Sequence, residues 1–402
     1  MKTGVFPIIL IFLIFSPWSL LADTSDNFRL LTDEIISLVE KHFHDSVKVS
    51  DSRWKSRVKQ LQRYSDTAIS ADRLADSINA LLSILEASHT HYYPKGDPKR
   101  YQLLGVFSTL YDQNREDLFI YEGTGIDTRR VDGRFVIVSV FDGFPAQEAG
   151  LRFGDTIVTV DGKPFHPIRS FGEKTGKTVR IKISRHGRTT EIRVKPTKID
   201  GRTMFMKAAE ASIRSIEYHG KKAGYIHLWS YAGSQYQELL RRQVLWGKLS
   251  ECDALVLDLR DGWGGADLSY LNLFRPPIVR TSFRNRDGST GTYNGAWEKP
   301  IALLVNERST SGKELFAYGF KKAQIGSVIG TTTAGAVLAG RIFLLSNDDV
   351  LYLAVRDVRV DGKRLEGRGV TPDIKVDRSA PAAAGGDSQL EKAVEEVIRG
   401  IK

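Results

Sequence analysis

Two stretches of the chain combine residue types that can carry acyl-transfer chemistry, and each follows an apolar run that reads as a buried strand. The first runs from Ala254–Asp258 into Leu259, Arg260, Asp261, Gly262, Trp263, Gly264, Gly265 and Ala266. Paired glycines at a strand end let the backbone approach a ligand, and their N–H groups can face an oxyanion. The second runs from Ile301–Val305 into Asn306, Glu307, Arg308, Ser309, Thr310, Ser311, Gly312, Lys313 and Glu314. Ser311 stands at a strand-to-helix turn, where its Oγ is exposed and the helix dipole favours developing negative charge. A simpler role competes. Ser309 or Ser311 can cap the following helix, with Glu314 completing a capping box from Ser311, and spacing alone favours the cap. Lys313 reads as a solvated helix lysine, because residues two apart do not share a helix face. Other chemistries lack their residues: the chain has no His-Glu-x-x-His, no Cys-x-x-Cys and no complete phosphate loop Gly-x-x-x-x-Gly-Lys-Ser/Thr, since Phe171 stands where Gly176-Lys177-Thr178 would need the first glycine. His89 and His91 could ligate a metal, but spacing supplies no third ligand. Neither a metal nor a cofactor is expected.

The elements that must position these residues fall into blocks. Asp23 to about Tyr92 shows helix-period apolar residues, most clearly over 71–85, and ends in Ala87, Ser88, His89, Thr90 and His91. Residues 100–200 alternate short strands with Gly-rich turns, including 134–140 and a hairpin over 179–194. Residues 201–380 alternate apolar strands (223–228, 254–259, 301–305) with amphipathic helices such as 235–249, the pattern of an α/β layer with a mostly parallel sheet. In such sheets, sites form beyond the carboxyl ends of strands. An Ala/Gly stretch near Ala380 precedes a last helix, expected over 387–398 within a C-terminal segment 381–402. The fold class is therefore multidomain α/β.

The block from Phe144 resembles a bacterial PDZ domain. It carries a short helix beginning near Ala146, an Ala149-Gly150-Leu151 to Gly154-Asp155 turn, and a strand before Asp161-Gly162, all in family order. The resemblance implies capture of extended peptides by strand addition at a sheet edge, with polypeptide C-termini as the ligand.

The whole arrangement is similar to the C-terminal processing, or tail-specific, serine peptidases. Helical start, PDZ module, the Asp258-x-Arg260-x-x-x-Gly264-Gly265 stretch and the Ser309-x-Ser311-x-x-Glu314 stretch follow the family's order. The family's nucleophile is the Ser three before the Glu, which is Ser311 here. The bacterial tail-specific branch pairs it with a Lys after a Thr-x-Gly turn. In Thr333-Ala334-Gly335-Ala336 that position is Ala336, which accepts no proton and excludes a Ser-Lys dyad. A second branch, similar to the tricorn core protease, uses Ser-His, Ser and Glu, and this sequence matches it with Ser88-His89, Ser311 and Glu366. On that resemblance His89 is the general base, Ser88 and Glu366 orient it, and the N–H groups of Gly265, Gly264 and Gly312 form the oxyanion hole. His91 competes with His89, and Glu366 could instead brace the following Gly369-Val370-Thr371-Pro372-Asp373 turn. Asp258 and Arg260 are expected to be a structural ion pair beneath the glycine loop. A non-catalytic homologue acting as a secreted peptide-binding or scaffold protein is the alternative, motivated by Ala336.

Bulk properties bound the partners. The 402 residues exceed one ordinary core. The formal charge of +10 is spread without a run of basic residues, so nucleic-acid binding is not expected. Lys2, the apolar run 5–15 and Ser19–Ala22 have the layout of a secretory signal with cleavage after Ala22, giving a leader 1–22, a helical region 23–99 and a periplasmic or secreted product without stable membrane insertion. The single Cys252, at the start of a strand, reads as a core thiol.

Overall fold

The computed structural model describes residues 17–68, 70–293, 295–378 and 386–401. The apolar leader run 5–15 and the stretch 379–385 lie outside the described residues, and the cleavage point after Ala22 falls within the helix Pro17–His42. Among the described residues no helix is long and apolar enough to cross a membrane.

Two compact units emerge. The smaller comprises residues 1–86 with 345–347. Its helices are Pro17–His42, Ser46–Ser50, Ser52–Ser65 and Ala71–Ser83, and the last three are started by polar caps: Asp45, Asp51 and Ser70 each accept backbone N–H groups of the following turn. Ile35, Val39, Trp54, Leu74 and Ile78 close its core. Helix ends at Ser83, so the helical pattern expected to reach about Tyr92 stops short. His91–Tyr93 is a strand instead, pairing antiparallel with Val350–Arg356, His91 opposite Tyr352.

The larger unit comprises 87–344 with 348–402. One part is a five-stranded antiparallel sheet in the order Ile126–Val131, Arg134–Val140, Thr156–Val160, Val179–Arg185, Arg188–Val194. Ile137, Leu151, Ile157, Phe171, Ile181 and Ile183 fill its interior. Buried Asp155 pairs with Arg185 at 2.6 Å and also accepts the Arg152 N–H at 2.8 Å, which fixes the turn before Thr156.

The other part is a six-stranded sheet. Its order is Ile374–Lys375, Ser327–Gly330, Ile301–Val305, Ala254–Asp258, Lys221–His227 and Arg214–Tyr218, parallel except at the last pair. Ala254–Asp258 and Ile301–Val305 are buried at every position, which is why they read as continuous apolar runs. Helices Met204–Ser212, Ser234–Leu245, Gly312–Lys322 and Ser388–Arg399 cover the sheet. Under the glycine loop, Arg260 pairs with Asp258 at 2.6 Å and with Asp387, the N-cap of the last helix, at 2.7 Å. Burial works against the Asp258 charge, but Arg260 outweighs it and holds the carboxyl well below the usual range. Cys252 is buried and unbridged.

Candidate active site

Strand Ile301–Val305 delivers the chain to Asn306–Thr310, and helix Gly312–Lys322 starts immediately after Ser311. The two serines of this turn part company. Ser309 is fully buried, donates from Oγ to the Leu259 carbonyl at 2.9 Å and accepts the Asn306 N–H at 3.0 Å. Ser311 lines a cleft of about 860 Å³. Its backbone sits at φ 57, ψ −130, a region that side chains other than glycine rarely adopt and that costs about 1–3 kcal/mol. Two bonds hold it there: its N–H donates to the Ala336 carbonyl at 2.7 Å and to Glu314 Oε1 at 3.2 Å.

Ser311 is thus the N-cap, without a side-chain cap bond of its own, and Glu314 supplies the returning half of a capping box by accepting the Ser311 N–H. Glu314 does more than cap. Its Oε2 accepts Thr333 Oγ1 at 2.5 Å and the Gly335 N–H at 2.7 Å, and its Oε1 accepts the Ala336 N–H at 2.7 Å. Burial raises its pKa, and these donors offset only part of that rise. The loop bearing Ala336 therefore contributes backbone groups to the Ser311 turn.

Glycine lets the neighbouring loop close on this turn. A Cβ on Gly264 would lie 2.5 Å from Ser311 Cβ, and one on Gly312 would lie 2.5 Å from the Ala266 nitrogen. The N–H groups of Gly264, Gly265 and Gly312 donate to no acceptor among the described residues. Free donors beside a serine hydroxyl are groups of the kind from which an oxyanion hole is built.

His89 also sits at positive φ (55°) and lines the same cleft. Glu366 Oε1 accepts the Ser88 N–H at 2.9 Å, and Oε2 accepts Ser88 Oγ at 3.0 Å. Ser88 Oγ lies 2.9 Å from His89 Nδ1. An ionised carboxylate only accepts, so the Ser88 proton points to Glu366 and Oγ accepts from Nδ1–H. That tautomer leaves Nε2 of His89 with its lone pair free. Burial pushes the His89 pKa down to about 4, against a smaller upward pull from Glu366. The ring also meets Tyr352 edge-on at 5.0 Å. Glu366 Oε2 further accepts the N–H groups of Val337 (2.8 Å) and Leu338 (3.2 Å), so the carboxylate also braces the chain after Ala336.

His91 lines the cleft too and is likewise pushed down to about 4 by burial, then by Lys99. It packs on Tyr93 and has no link to Ser88 or Glu366. The fold thus joins Ser88, His89 and Glu366 in one chain of hydrogen bonds, and Ser311, Gly264 and Gly265 line the same cleft as His89. No hydrogen bond joins His89 to Ser311. Among the described residues no cluster of three or more His, Cys, Asp or Glu is placed to hold a metal.

Lys313 corrects its sequence reading. It is fully buried, and its Nζ donates to the carbonyls of Asp261 (2.8 Å) and Trp229 (3.1 Å). The signal was in the spacing: Lys313, Phe316, Ala317 and Phe320 fall at i, i+3, i+4 and i+7, all on the buried stripe. Two carbonyls match the two N–H bonds of a neutral amine. Burial pulls the pKa down to about 7, although Asp258 and Asp261 pull it up. Both protonation states keep the two hydrogen bonds, so the titration registers in stability. The unfolded lysine titrates near 10.4 and binds more protons across the interval, so stability rises from about pH 7 towards 10.4 and is lost as pH falls through 7. Urea unfolding at pH 6 and pH 9 checks this: wild type should gain on Lys313→Met between the two. Parallel curves would place the lysine's proton elsewhere.

With this geometry in hand, the chain can be set beside known proteins. Residues 222–376 match Peptidase family S41 and residues 123–195 match the PDZ domain. One stretch of the chain is thus similar to family S41 and an earlier stretch to the PDZ domain. The carboxy-terminal processing protease CtpB of Bacillus subtilis (strain 168) is 25% identical over 333 residues, which cover 78% of this chain and 64% of that protein. A probable CtpA-like serine protease of Staphylococcus aureus (strain COL) is 24% identical over 335 residues, 75% of this chain and 65% of its own. The chain therefore spans less than two thirds of these relatives' length. Among solved structures, the tricorn protease superposes with TM-score 0.57 at 20% identity, covering 94% of this chain and 37% of that one. A photosystem II D1 C-terminal processing protease gives 0.50 at 19% identity, covering 93% and 97%. These likenesses share the fold.

Proposed function

We propose that the protein is a serine peptidase that hydrolyses polypeptide chains, with Ser311 as nucleophile and His89 as its general base. The observation that carries this is the hydrogen-bonded chain Glu366–Ser88–His89, which ends with a free imidazole lone pair in the cleft that Ser311 lines. Nε2 takes the Ser311 Oγ proton as Oγ attacks the scissile carbonyl, and the imidazolium returns it to the leaving amine. Glu366, through Ser88, fixes the tautomer and balances the transient positive charge. The N–H groups of Gly264, Gly265 and Gly312 receive the oxyanion. Attack requires Nε2 and Oγ to approach to about 2.6–3.2 Å, a contact that substrate binding tightens.

The PDZ part would capture an extended polypeptide by strand addition. Residues 1–22 would serve as an export leader, so that the mature chain works outside the cytoplasm. A helical region 23–99, a PDZ-like domain 100–200, a core 201–380 and a terminal helix segment 381–402 would make up the functional parts. The test is covalent. A serine-directed phosphonate should add to Ser311, as read by intact mass and peptide mapping. Labelling should vanish in Ser311→Ala and slow by orders of magnitude in His89→Ala. Labelling at another serine sinks the assignment.

A further inference from the structure

The cleft that Ser311 and His89 share has an uneven charge. Its charged lining residues are Lys99 and Arg202, and no Asp or Glu lines it among the described residues. Arg202 is already committed: its guanidinium lies 2.7 Å from Asp200 Oδ2 and its Nη1 donates to the Gln113 carbonyl at 3.0 Å. Lys99 is different. It stands in the first turn of helix Pro98–Val106, whose N-cap Asp97 accepts the Lys99 backbone N–H at 2.9 Å. Its Nζ makes no hydrogen bond or ion pair with any described residue. The nearby charges are those of Asp97, whose buried carboxyl is pushed up by burial, and of His91, whose pKa Lys99 lowers. Lys99 is partly buried and lines, with Arg202, a cleft to which no Asp or Glu contributes among the described residues, so an arriving anion meets the positive side chains of the lining.

We infer that Lys99 anchors a carboxylate of the substrate, and that the preferred substrates present an acidic side chain or a free terminal carboxylate beside the bond that is cut. This rests on the peptidase reading above. A charge-assisted hydrogen bond in a partly desolvated cleft is strong enough to select. Its expected size is a preference of about 10- to 100-fold for carboxylate over amide.

The test uses the full chain and four matched peptides that differ only in Glu against Gln near the cleavage site and in a free acid against an amide at the C-terminus. Wild type should show the preference in kcat/KM. The Glu/Gln arm reads a side-chain source and the acid/amide arm reads a terminal source. Lys99→Met should bring the ratio close to one, Lys99→Arg should retain it, and Lys99→Glu should invert it in favour of the Gln and amide peptides. The same ratios are measured as dissociation constants by fluorescence anisotropy on Ser311→Ala protein. That arm reads the anchor without turnover, and comparison with Ser311→Ala/Lys99→Met separates cleft binding from capture at the PDZ part. A wild type blind to both exchanges, or a Lys99→Met protein with undiminished preference, overturns the anchor. Loss of all hydrolysis and phosphonate labelling, with Lys99-dependent binding intact, would overturn the peptidase reading alone.

Discussion

Replacing Ser311 by alanine is expected to lower kcat for an unfolded polypeptide by about 10⁶-fold, the scale on which a serine peptidase depends on its nucleophile. The fold should survive. Both bonds that hold residue 311 at its strained angle, to the Ala336 carbonyl and to Glu314, come from its backbone N–H. Alanine keeps that N–H and meets the same backbone strain. The melting temperature should therefore stay within a few degrees of wild type. Equivalent loss of structure would make the activity result uninformative, and the melting curve guards against that. Turnover within tenfold of wild type would remove Ser311 as the nucleophile.

The second large effect concerns His89. His89→Ala should cost about 10⁴- to 10⁶-fold in kcat. The pH profile gives an independent check. A base must be neutral to accept a proton, and burial holds His89 down to about 4. The acid limb of kcat/KM should therefore fall near pH 4, with a level profile between about 5 and 7 where an exposed histidine would already be losing activity. An acid limb near 6.5 would show that the base is an exposed imidazole.

Glu366→Gln tests the relay behind that base. Both carboxylate oxygens accept backbone N–H groups: Oε1 from Ser88, Oε2 from Val337 and Leu338. An amide must set its NH₂ against one of these donors. It also frees the Ser88 proton to turn towards Nδ1, which places the histidine proton on Nε2. In a serine triad the comparable exchange costs about 10⁴-fold. A similar loss here, with phosphonate labelling slowed in parallel, is the expected result.

The sequence by itself determined a good deal. The continuous apolar runs at Ala254–Asp258 and Ile301–Val305 became parallel central strands because strands covered on both faces have no polar side to show. The hairpin over 179–194 formed because its alternation and its Gly187 turn act locally. Gly264 and Gly265 were legible as places of close backbone approach. The order of these motifs carried the resemblance to the S41 peptidases.

Tertiary structure decided what depends on distant partners. Ser309 and Ser311 look alike two residues apart, yet one is sealed against Leu259 and the other opens on the cleft. His89 and His91 share a neighbourhood, but only His89 adjoins Ser88, which meets a carboxylate 278 residues away. Lys313 was read from its distance to Ser311, whereas its burial follows from the stripe it shares with Phe316 and Phe320. Its ammonium then meets carbonyls of two loops that local spacing does not predict. Ala336 marks the limit most clearly. Its side chain announced only a missing lysine, while its backbone N–H and carbonyl join Glu314 to the Ser311 turn, a role open to any residue type with a backbone N–H and so displayed by no side-chain pattern.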